Sequence, residues 1–159
     1  MLLADTQTVV SWRARPRSFV GLMGLYESNF IRLGWLAGDL RALGGRHTSS
    51  VPGDCDLVLT VTERSPYTCT VTLTYLLADG RGSRHYPDMR VRIYHDAHLV
   101  EAQHCAGVHT QPRLGGVRLS RERELHQRWA RNMMLNKWLE YCVERGHRFS
   151  FRTGYRAGT

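Results

Sequence analysis

The period of the hydrophobic pattern changes twice along this chain, and that change sets the class of fold. From Phe19, the residues Leu22, Met23, Tyr26, Phe30, Leu33, Ala37 and Leu40 recur at three and four, which puts them on one face of a helix. Ser18 is the expected N-cap, and Gly44-Gly45 the expected stop. The helix carries Gly21, Gly24, Gly34 and Gly38, so packing must compensate or it breaks near Gly34. Arg46 to Gly53 reads as a polar loop.

From Leu57 the period falls to two. Leu57, Leu59 and Val61 alternate with Val58, Thr60 and Thr62; beyond Pro66, Cys69, Val71, Leu73 and Tyr75 alternate with Thr68, Thr70, Thr72 and Thr74. One apolar face and one threonine row describe a half-buried antiparallel hairpin. Asp79-Gly80-Arg81-Gly82 marks the next turn, Met89–Tyr94 a third strand and Leu99–Cys105 a fourth. Ala106 to Leu119 is a Gly-containing loop. The helical period then returns over Ser120–Arg145, with Leu125, Trp129, Leu135, Leu139, Cys142 and Val143 turned inward and Gly146 as its stop. Phe149–Phe151 suits a last short strand. The expected fold is α+β: an antiparallel sheet of four to five strands flanked by an N-terminal and a C-terminal long helix. Residues 1–17, with Arg13, Arg15 and Arg17, read as a loose basic arm, and residues 18–159 as one domain.

With 159 residues and 42% hydrophobic content, the chain can bury a core without disulfides. None of its four cysteines (Cys55, Cys69, Cys105, Cys142) forms a CxxC pair, and no apolar run reaches the roughly 18 residues that span a bilayer. Apolar pieces precede the arginines at the N-terminus, the reverse of a secretory signal. These features imply a cytoplasmic protein with reduced thiols and no membrane partner. The net charge is +8, concentrated toward the C-terminus: residues 111–159 hold ten Arg and Lys137 against four Glu. Such asymmetry points to a polyanion partner, namely RNA, a nucleotide or an acidic protein.

Three groups of residues can carry function. His95-Asp96-Ala97-His98 follows the third strand. His95 with Asp96 can form a base and its orienting carboxylate, but strand neighbours point to opposite faces, so the pair needs a bend. If the strand runs straight, His95 joins Val91 and Ile93 as a core histidine. The second group is the basic loop Asp79–Tyr86, in which Arg81, Arg84 and His85 suit a phosphate, though it lacks the P-loop pattern. The third is the tail, where Arg148, Arg152 and Arg156 interleave with Phe149, Phe151 and Tyr155 in a manner suited to single-stranded nucleic acid. His104, Cys105 and His109 are irregularly spaced for a metal, and neither a metal nor a cofactor is expected. Trp129 and Trp138 lie on a helix face apolar enough to serve a homo-oligomer seam.

Met89-Arg90-Val91-Arg92-Ile93-Tyr94-His95-Asp96-Ala97 with Glu101 resembles the signature of the YqiB-like family, small bacterial proteins of unknown function. Tyr26-Glu27-Ser28-Asn29-Phe30, Leu59–Arg64 through Tyr67-Thr68, and Leu125-His126-Gln127-Arg128 with Asn132 and Trp138–Gly146 follow in the same order. Trp129-Ala130-Arg131 departs from the family pattern, which continues there with an acidic-basic stretch. The resemblance implies a bacterial cytoplasmic protein and transfers no catalytic residue.

No GxSxG, HExxH or SxxK element is present. The expected function is therefore a non-enzymatic binding or regulatory module for a polyanion. The alternative is a small hydrolase-type enzyme using His95 and Asp96.

Overall fold

A computed structural model of the chain describes residues 18–106 and 117–150. It is an α+β structure of two long helices and a five-stranded antiparallel sheet. The expected arm over residues 1–17 lies outside the described residues.

Helix α1 (Phe19–Ala37) starts where Ser18 caps it, its hydroxyl accepting the Gly21 N–H at 3.0 Å. It does not run to Gly44-Gly45, and it does not break at Gly34. It stops at Gly38, whose φ of 69° lies in the left-handed region that a side chain disfavours. A short 3-10 turn, Leu40–Ala42, carries the apolar spacing onward and buries Leu40. The helical period therefore outlasts the α-helix itself.

The strands are β1 (Arg46–Ser49), β2 (Asp56–Arg64), β3 (Thr68–Asp79), β4 (Gly82–Tyr94) and β5 (Leu99–Ala106), arranged in chain order as a meander. β1 occupies what reads in sequence as a polar loop. It is a short edge strand with only Ser49 buried, so its sequence carries no alternation to read. The Asp79–Tyr86 loop is likewise mostly strand. β3 and β4 pair from Asp79↔Gly82 onward, leaving only Gly80-Arg81 between them. Polar residues on both faces disguise this end of the hairpin.

Directly opposed residues share a face. Leu57, Leu59, Val71, Leu73, Met89, Val91, Ile93, Val100 and Ala102 form the inner face, against Leu33 and Leu36 of α1 and Leu135 and Leu139 of α2 (Val117–Glu144). Each Leu, Val, Ile and Met among them contributes about 1.5–3 kcal/mol by leaving water. The threonine row lies on the other face, where Thr60 and Thr72 oppose each other and Thr72 opposes Arg90. Trp129 and Trp138 are both buried within the chain.

Three fully buried asparagines tie the helices to β5. Asn29 Nδ2 donates to Asn132 Oδ1 and to the Val100 carbonyl, both at 3.3 Å. Asn136 Nδ2 donates to Asn29 Oδ1 at 3.1 Å and to the Ser28 hydroxyl at 2.9 Å. Asn132 reaches the Ala102 peptide beside the β-bulge that interrupts the β4–β5 register.

Phe149 is not part of a strand. It is buried, and its N–H donates to the Leu36 carbonyl at the end of α1 at 2.9 Å, so the chain after α2 docks on a helix terminus. Phe151 lies outside the described residues.

Candidate functional site

The turn His95–His98 joins β4 to β5, and it bends as any His95–Asp96 pairing would require. His98 sits at φ 54°, in the left-handed region. The bend nevertheless sends the three side chains apart. His95 is buried, and its N–H donates to the Tyr67 carbonyl at 2.9 Å. Burial first, and then the Arg41 guanidinium, hold its imidazole below the ordinary histidine value. Asp96 faces solvent and accepts from Arg41 Nη2 at 2.7 Å. The His98 ring stacks on Phe30 with centroids 4.9 Å apart. Arg41 is thus the residue that links the first two groups: it binds Asp96 and biases His95 toward the neutral form.

The arginines expected to meet a polyanion are spread out. Arg81 is at the β3–β4 turn. Arg84 and His85 are consecutive residues of β4, opposite Leu77 and Leu76, and so face opposite sides of the sheet. Arg148 is exposed just beyond α2, its N–H donating to the Ser49 hydroxyl at 3.1 Å. Arg152 and Arg156 lie outside the described residues, as does His109; His104 is exposed on β5 and Cys105 is buried.

The structure assembles one cluster that sequence reading misses. Ser49 Oγ lies 2.9 Å from His147 Nδ1, and His147 Nε2 lies 2.9 Å from Asp54 Oδ2. Tyr75 donates its hydroxyl to the same Asp54 oxygen at 3.0 Å and sits 3.2 Å from Cys142 Sγ. Desolvation pushes the Asp54 carboxyl up, but hydrogen bonds from His147, the Cys55 N–H and Tyr75 outweigh it, leaving the carboxyl below the ordinary aspartate value. The ionised Asp54 therefore receives the Nε2 proton. At the other end of the ring Nδ1 faces the Ser49 hydroxyl. With its own proton going to Asp54, the Tyr75 oxygen accepts from the Cys142 thiol.

Ser, His and Asp in one chain of hydrogen bonds invite comparison with a hydrolase triad. In the serine-protease template the carboxylate holds Nδ1 and the serine meets Nε2; here the nitrogens are exchanged. Ser49 is buried and its oxygen already accepts the Arg148 N–H. Burial pushes the Cys142 thiol up to about 12, far from a reactive thiolate. The cluster works as a clasp that fastens the end of α2 to β1, the β1–β2 connection and β3. A groove of about 470 Å³ borders Asp54, lined also by Gly53, Asp56 and Leu76. Nothing local announces the clasp, because Ser49 and Asp54 lie in an unpatterned stretch and His147 is 98 residues from Ser49.

A family model described as a protein of unknown function matches residues 32–148, most of the chain. The chain belongs to the DUF1249 family. The match takes in the whole sheet, α2, the His95–His98 turn and all three members of the Ser49–His147–Asp54 chain. In this DUF1249 protein the segment before Arg32, including Phe19–Ile31 of α1, lies outside the match. No curated protein and no solved structure matches the chain.

Proposed function

We propose that this protein is a non-enzymatic binding module of the bacterial cytoplasm that takes a polyanion, best represented by single-stranded RNA, along α2 and the arginine-rich segments beside it. The observation that carries this reading is the polarity of the charge. Residues 18–106 hold eight basic and nine acidic side chains, whereas residues 117–150 hold eight basic and four acidic. The remaining five net positive charges fall in the adjoining stretches 1–17, 107–116 and 151–159. Arg121, Arg123, Lys137, Arg145 and Arg148 are exposed. The Arg145 guanidinium lies 5.8 Å from the centroid of the exposed Tyr141 ring, a pairing of charge with an aromatic face that suits an unpaired base. The resemblance to YqiB-like proteins supports the bacterial cytoplasmic setting. Among the described residues no helix is long and apolar enough to cross a membrane.

Titration of a labelled RNA oligomer by fluorescence anisotropy tests the reading. Three to four phosphate contacts should weaken binding by about tenfold to fiftyfold between about 50 and 200 mM salt. Arg121→Glu with Lys137→Glu should remove binding, and Arg90→Gln on the sheet should leave it intact. A salt-independent affinity, or binding untouched by the α2 reversals, would sink it. Tighter binding of a polyglutamate peptide than of RNA would move the partner to an acidic protein.

The hydrolase alternative rests on His95 staying neutral, as a general base must. No observation brings Asp96 to it in place of Arg41.

A further inference from the structure

Where the start of α1 meets α2 and the β4–β5 hairpin, the packing leaves a cavity of about 290 Å³, at the small end of the range for ligand pockets. Leu22, Met23, Leu99 and Leu125 make its walls apolar. Into it comes Tyr26 of α1. That residue is 5% exposed, and its hydroxyl is buried with no hydrogen-bond partner among the described residues. A buried polar atom left unpaired is unfavourable, and native folds rarely keep one without a reason.

The group beside it supplies the reason. Glu101 of β5 lines the same cavity, and its Oε2 accepts the Tyr94 hydroxyl at 3.0 Å. Among the described residues it stands in no ion pair, whereas Arg128 at the cavity is held by Glu124 at 2.6 Å. Burial first, and then Glu101, push the Tyr26 phenol up to about 12, with Arg128 and Arg131 opposing more weakly. The hydroxyl thus stays protonated and can both give and accept a hydrogen bond, and Glu101 is the strongest charge acting on it. Arg128 at the wall and Arg92 opposite Glu101 on β4 lie near this carboxylate, but neither is ion-paired to it. A carboxylate in no ion pair, a phenol oxygen without a donor and a lining of leucines have one simple complement. An ammonium donates to Glu101 and to Tyr26 Oη at once, while its apolar body fills the space between the leucines. The Phe19 ring, exposed at the cavity, offers a further face to a cation.

We propose that this cavity binds a small primary amine with an apolar or aromatic body, recognised by Glu101 and Tyr26. The site borders α2 through Leu125 and Arg128, but its recognition groups, Glu101 and Tyr26, lie on β5 and α1 and do not depend on the polyanion reading.

Calorimetric titration of the full chain with 2-phenylethylamine, 2-phenylethanol and phenylacetate tests this, because the three share a body and differ in head group. The amine should bind well above the alcohol and the acid. Glu101→Gln keeps an acceptor for Tyr94 and should weaken the amine by about tenfold or more. Tyr26→Phe should weaken it severalfold while leaving Tm unchanged or higher, since the hydroxyl has no partner to lose. Glu63→Gln, on the far side of the sheet, should do nothing. Phenylacetate binding as well as the amine would overturn the proposal, and so would the absence of binding at about 10 mM. If Glu101→Gln does not fold, the head-group order and Tyr26→Phe still decide. Loss of Tm in Tyr26→Phe with unchanged affinity would make the hydroxyl structural and end the case.

Discussion

Asn132 grips the peptide of Ala102 from both sides, its Oδ1 accepting the Ala102 N–H at 2.7 Å and its Nδ2 facing the Ala102 carbonyl at 3.5 Å. A side-chain amide on a helix thereby stands in for the next strand beside β5, the edge strand of the sheet. Asn132→Ala leaves a buried N–H unpaired and also strips Asn29 of a partner. It should lower stability by about 2–3 kcal/mol, readable as a reduced urea midpoint with an unchanged m-value. Asn132→Asp cannot donate to the Ala102 and Arg128 carbonyls and should be no better.

Asp54 predicts an acid limb. Its folded-state pKa lies below the ordinary value, so its contribution is fully present above the unfolded aspartate pKa and is lost as pH falls through the folded one. Urea unfolding from pH 7 downward should show stability falling below about pH 4. Asp54→Asn should be weaker at pH 7 and flatter across that limb. An equal acid dependence in both proteins would assign the limb to other carboxylates.

His95 predicts a second pH window of the same sign for a different reason. Its imidazole is depressed mainly by burial, so the folded state binds its proton less readily than the unfolded chain does. That stability is complete above the unfolded histidine pKa of about 6.5 and is lost as pH falls through the lower folded value. The Tm difference between about pH 7.5 and pH 5.5 should shrink in His95→Gln. Asp96→Asn frees the Arg41 guanidinium and removes the charge that partly opposes it, so it should widen that difference.

Two glycines of one helix should respond oppositely. Gly38 has φ 69°, and alanine there should cost about 1–2 kcal/mol. Gly34 lies inside α1, and a Cβ built on it meets no atom within 4 Å. Gly34→Ala should therefore stabilise by about 1 kcal/mol through helix propensity. Thermal melts of the two variants check the contrast.

The parts of the fold legible in sequence are those with one dry face and one wet face. The Cys69–Tyr75 apolar series against its threonines could mean only a half-buried strand, and it is one. Arg46–Ser49 and Ser83–Tyr86 could not be read, since an edge strand and a hairpin tip are wet on both sides and leave no period. Asn29, Asn132 and Asn136 look like surface positions of their helices, and only tertiary packing makes them interior. The strand-end turn was visible as a bend needed by His95 and Asp96, but its outcome depended on Arg41, a residue 55 positions from Asp96. Tyr26 and Glu101 were visible only as members of motifs, and their meeting at one cavity is a property of the fold.

The meander has a kinetic meaning. Every strand pairs with its neighbour in sequence, so the sheet can zip up through short loops at little entropic expense. The long-range closure is the meeting of α1 with α2, fixed by asparagine contacts across 103 and 107 residues. Until the ribosome releases the second helix, the nascent sheet presents part of its leucine face uncovered, and a chain halted before α2 is a natural client for a chaperone.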